Sequence, residues 1–120
     1  MTKKDDLEML INALKKREEV LIKNQSIAKY NKYYDKIRKY EQKIFEEERQ
    51  NELVPFLYSD SISIRSDIAC ILYHYYPEKC TEVLKEIADM TVDNGLPKCF
   101  VILSIAAKDN LKYGIPKNCP

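Results

Sequence analysis

Along nearly its whole length the chain returns to an apolar residue every three or four positions. Leu7, Leu10, Ile11, Leu14 and Leu21 share one helical face, which predicts a first helix over about 3–23. Thr2 and Asp5 form the outline of a capping box at its start. Asn24-Gln25-Ser26 interrupts the pattern, and Ser26 stands as the cap of a second, longer helix reaching about Arg49. Its stripe is Ile27, Tyr30, Tyr33 or Tyr34, Ile37, Tyr40 and Ile44. Beyond Asn51 the elements shorten. Leu53, Val54, Phe56 and Leu57 make a turn or two around Pro55, and Ser59-Asp60-Ser61 is a turn and cap cluster. Ile64, Ile68, Ile71, Leu72 and Tyr75 trace a helix that Pro77 stops while opening the next. Val83, Leu84, Ile87 and Ala88 line that next helix to about Met90. After Asp93-Asn94-Gly95, Pro97 opens a last helix with Cys99, Ile102, Leu103 and Ala106 inward. No window alternates as a strand does. The fold class is all-α: about six helices in antiparallel pairs, within one domain. Residues 1–50 read as a long helical hairpin, 51–108 as shorter paired helices, and 109–120 as an irregular tail. Short stacked pairs of this kind are the rhythm of an α-solenoid.

Composition agrees with that reading, because 2 glycines and 5 prolines leave little turn chemistry for hairpins. The net charge is only +1, so the chain lacks the basic excess of a protein that binds through phosphates. Charge is unevenly distributed all the same. Residues 23–43 are basic on balance, and 44–67 are acidic through Glu46, Glu47, Glu48, Glu52, Asp60 and Asp67. Cys70, Cys80, Cys99 and Cys119 form no CxxC pair, and the single His74 stands at no zinc-finger offset from them. No apolar leader or membrane-length run is present, so the expectation is a cytoplasmic chain with reduced thiols and no metal or cofactor.

The sequence holds no phosphate loop, dinucleotide fingerprint, nucleophile elbow or HExxH zinc pattern. Cys70 and His74 are four apart on a helix, the spacing of a nucleophile and its base, but no third group orients them. Catalysis is not expected. Lys29, Lys32, Lys36, Arg38, Lys39 and Lys43 interleave with Tyr30, Tyr33, Tyr34 and Tyr40, as a single-strand nucleic-acid groove would require. Tyr30, Ile37 and Ile44 are needed in the core, however, and Glu41 with Glu46–Glu48 would repel a continuing backbone. A solvated helix face accounts for the lysines better.

The run Leu53-Val54-Pro55-Phe56-Leu57, Asp60, Ile64-Arg65, Ile68-Ala69, Leu72, Val83-Leu84 and Ile87 resembles a HEAT repeat. That resemblance implies that Arg65 reaches back to Asp60 or to the turn carbonyls. The wider order adds Tyr30-Asn31-Lys32, Pro77, Leu103 and Lys112-Tyr113-Gly114-Ile115, over roughly 25–116. It is similar to short bacterial HEAT-like domains that include immunity proteins of contact-dependent growth inhibition. Where that family tends to place a Trp before the last Gly, this chain has Tyr113. The resemblance implies a HEAT-like α-solenoid that binds one cognate toxin domain, one to one, and blocks its active or substrate-binding face. A HEAT-like adaptor is the alternative. Against a nuclease toxin, whose cleft must be basic, the expected contact acids are Glu46, Glu47, Glu48, Asp60, Asp67 and Asp93. Tyr58, Tyr73 and Tyr76 are the expected aromatic anchors.

Overall fold

The computed structural model describes residues 5–115, all of whose regular structure is helical. Thr2, Cys119 and the end of the tail lie outside them. Helix α1 (Asp6–Ile22) is capped by Asp5, whose carboxylate accepts from the Leu7 amide at 3.3 Å, with Asp6 and Glu8 complementing the helix dipole. It buries Leu10, Ile11, Ala13, Leu14 and Val20. Asn24 ends it in the left-handed region (φ 51°), where its own amide and that of Gln25 turn back to Leu21 and Val20.

Ser26 caps a helix as expected, but the long second helix is two pieces. Helix α2 (Ile27–Asn31) lasts 5 residues, and α3 (Tyr34–Glu46) resumes after Lys32-Tyr33. The reason lies in packing. Helix α2 buries no residue, and Ile27, an expected member of the stripe, is 60% exposed. Without a buried anchor nothing enforces continuity, since short helices depend on tertiary contacts. Helix α3 is held by Ile37 and Ile44 against α1. Its end repeats that of α1, with Glu48 in the left-handed region (φ 56°).

A 3-10 helix (Gln50–Tyr58) follows, with Leu53 and Leu57 buried against α4 (Ile62–Leu72). Ser61 caps α4 by accepting from the Ile64 amide at 3.1 Å, and its hydroxyl also bonds the Glu18 carboxylate on α1. Helix α4 also packs on α1 and on α5 (Pro77–Ala88). Pro77 occupies the first turn of α5, where its missing N–H costs nothing. Cys80, Val83, Leu84 and Ile87 form its inner face. Thr91 and Asn94 then cap each other reciprocally, and Gly95 (φ 105°) supplies the left-handed turn.

The last helix, α6 (Val101–Tyr113), departs from expectation twice. It runs past 108 into the stretch read as irregular, and Ile102, expected inward, is 45% exposed. Ser104 is buried in its place and donates to the carbonyls of Ala88 and Met90 at 3.2 and 3.1 Å. The end of α5 has carbonyls without helical partners, and satisfying them turns a polar residue inward. Removing that hydroxyl leaves buried acceptors unmatched, so Ser104→Ala is expected to cost about 1–2 kcal/mol in chemical denaturation.

Candidate functional site

A cleft of ≈ 1160 Å³ separates α3 from α4 and α6, with α1 and α2 at its base. Helix α1 contributes Leu14 and Arg17, and α2 contributes Tyr30. The α3 wall carries Ile37, Arg38, Glu41 and Phe45, facing Asp67, Cys70 and Ile71 of α4 and Leu103, Ala106 and Asn110 of α6. Phe45 and Tyr75 join the walls with ring centroids 4.7 Å apart. At the rim His74 Nε2 donates to the Ile115 carbonyl at 2.7 Å, tethering the segment after α6.

The polar groups at the base are sparsely matched. Arg17 lies 4.0 Å over the Tyr30 ring, while its closest nitrogen stands 3.7 Å from Asp67. Burial pushes the Asp67 carboxyl up to about 7, despite opposition from Arg17. Glu41 is raised by the same cause, against the pull of Arg38 at 3.5 Å. Burial holds the Tyr30 phenol and the Cys70 thiol at about 12, so both stay protonated at neutral pH.

The structure does not pair Cys70 with His74. Cys70 accepts from Asn110 at 3.4 Å, and His74 is engaged with Ile115 instead. A thiol with so high a pKa supplies almost no thiolate. Cys80 is fully buried and also raised, to about 11. Among the described residues no group of three His, Cys, Asp or Glu side chains could hold a metal ion. No helix there is long and apolar enough to cross a membrane.

The expected contact residues do not converge on the cleft. Only Glu46, exposed at the rim, and Asp67, at the base, line it. Asp67 is therefore no surface acid for steering a partner: its side chain is 11% exposed and faces Arg17. Glu47 and Glu48 are exposed after α3, and Asp60 and Asp93 are exposed in separate turns. Tyr58 is 61% exposed, whereas Tyr73 and Tyr76 are partly buried against the core. Arg65 reaches neither Asp60 nor the turn. It approaches Glu86 of α5 at 3.7 Å, and Glu86 is 65% exposed. A single long contact to a solvated acid contributes little. Arg65→Ala is thus expected to change stability by less than about 1 kcal/mol by thermal melting.

Arg17 and Glu41 were not singled out as site residues by sequence reasoning. A signal existed for Arg17: it stands three residues after Leu14, where the apolar stripe of α1 should continue. Asp67 interrupts the α4 stripe in the same way, three residues after Ile64. Charged residues in buried stripes mark a cavity or a paired interior. No family model matches the chain, and no curated protein or solved structure shows significant similarity to it.

Proposed function

We propose that this chain is a non-catalytic binding domain, an immunity protein that neutralises a cognate bacterial toxin domain in the cytoplasm. The observation that carries the binding reading is the cleft, which is large, aromatic-walled and free of activated nucleophiles. Concave, mostly apolar sites with a few convergent polar groups are where ligands and partner segments seat. The toxin as partner rests on the resemblance to HEAT-like immunity domains. Inhibition follows from steric cover, so neither cofactor nor turnover is needed.

The experiment is co-expression with the product of the reading frame beside this one in its own genome. Rescue of growth, with a one-to-one complex on purification, supports the reading. A neighbour that is harmless, or that kills regardless, removes the toxin and leaves the adaptor reading. Glu46–Glu48, exposed at the rim and just beyond it, give a second expectation for a nuclease toxin. Reversing their charges should slow association by about tenfold or more at low salt, while the dissociation rate stays nearly constant. Surface plasmon resonance separates the two rates. An unchanged association rate would reduce the acids to solvated surface.

A further inference from the structure

Exposed positions on the last two helices are filled in opposite ways. On α5 every exposed residue after Pro77 is charged: Glu78, Lys79, Glu82, Lys85 and Glu86. In the first half of α6 the only exposed residues are Ile102 and Ile105, at 45% and 53%. They stand three apart and so share a face of the helix. Val92, 46% exposed, adds a third aliphatic side chain from the turn that precedes α6. Beside Ile105 lies a hollow of ≈ 180 Å³ walled by Met90, Val92, Leu96 and Val101. Apolar residues exposed singly need no explanation, but a contiguous group of them marks a contact. The last helix of a stack also needs a polar outer face to stay soluble, and the start of α6 lacks one. Neither Ile102 nor Ile105 lines the large cleft, so this surface is separate from it.

Charge at the edges of the patch says what covers it. Asp93 is exposed next to Val92 on one flank, and Lys108 lines the hollow from α6. None of the ion pairs among the described residues uses either. A strongly basic or strongly acidic partner would match one of these groups and oppose the other. A second copy of this chain matches both. A two-fold axis through the patch exchanges its flanks, so that Lys108 of each copy faces Asp93 of the other. The same operation sets the projecting Ile102 of one copy against the hollow of the other.

We propose that this patch is a self-association surface, through which two copies pair α6 against α6 across a two-fold axis. Both clefts stay open in such a pair, so a partner seated there still binds one per chain. The pairing does not rest on the toxin reading.

Sedimentation equilibrium of the full chain, with a thiol reductant present to exclude disulfides, tests it. Half-association is expected at roughly 100 µM, because so small a patch lies at the low end of specific interfaces. Ile105→Lys should stay folded by circular dichroism and weaken the pairing by about tenfold or more. Lys108→Glu should weaken it by about three- to tenfold, since acid then meets acid on both flanks. Adding Asp93→Lys to that variant should restore the pairing, which a general loss of stability could not do. On the unaltered chain, the amide NMR signals of Val92, Ile102 and Ile105 should move with concentration while those of Glu41 and Asp67 stay still. That readout depends on no variant. A chain still monomeric at about 1 mM would overturn the proposal, and loss of a toxin complex in Ile105→Lys would then give the patch to the toxin. Association untouched by Ile105→Lys would place the contact on another face and overturn it as well. Association that Ile105→Lys abolishes but the charge reversals leave unchanged would overturn the two-fold pairing of Lys108 with Asp93.

Discussion

Asp67→Asn is expected to raise the melting temperature by roughly 10 °C near pH 8 and by far less near pH 4.5. The carboxyl ionises at about 7 in the folded chain against 3.8 for a free aspartate, because burial penalises its charge more than Arg17 compensates. A folded-state pKa above the unfolded value means that the native chain binds the extra proton between those limits. The stability this group contributes is therefore full below 3.8 and is lost as pH rises through about 7. Each pKa unit corresponds to 1.36 kcal/mol, so about 3 kcal/mol separates pH 4.5 from pH 8 at this position. Asparagine keeps the shape and a carbonyl for Arg17 but has no charge to desolvate. Glu41 acts in the same direction, being raised by burial, whereas Asp5 and Glu52 are lowered by Arg49 and act in the opposite one. The difference between parent and variant cancels those contributions. Melting curves that run parallel at all pH values would place Asp67 in water and undo its assignment to the cleft base.

How much of this arrangement could be read beforehand depended on how local its causes were. Ser26, Ser61 and Pro77 mark helix starts through chemistry within a few residues, and each does so in the structure. All-helical architecture followed from periodicity for the same reason. The break at Lys32-Tyr33 left no such mark, because the apolar spacing continues across it and only the lack of a buried anchor in α2 decides the matter. The rotated face of α6 was hidden as well. Ser104 turns inward to serve carbonyls of the preceding helix end, which are remote in sequence. The cleft belongs to this second class. Arg17, Glu41 and Asp67 come from three helices, and nothing short of packing brings them together. For Arg17 and Asp67 the trace in the sequence was negative: a charge where a leucine or isoleucine was due. The expected acids, read from a run of like charges, turned out mostly to be dispersed surface.

Ile44→Ala is expected to destabilise the chain by about 2–5 kcal/mol and to do so unevenly. Ile44 is fully buried, and it and Ile37 are the two buried residues of α3, with Tyr40 and Phe45 packed partly buried beside them. Helix α3 is also an entire wall of the cleft, joined to the opposite wall through Phe45 and Tyr75. Helices α4, α5 and α6 pack on one another, and Leu72, Leu84, Ile87 and Leu103 belong to the same core as Ile37 and Ile44. Loss of the Ile44 side chain should therefore free α3 before anything else, with amide exchange rising across Tyr34–Glu46 while α4 and α5 keep their protection. Ile27→Ala, in the same apolar stripe by sequence but 60% exposed, should stay within about 0.5 kcal/mol. The pair of variants distinguishes anchoring from periodicity. Uniform loss of protection in Ile44→Ala would make α3 part of one cooperative unit with the rest, and the cleft a rigid cavity. Local loss makes α3 a wall that can part from the core, so that seating a partner there also decides how firmly that helix is held.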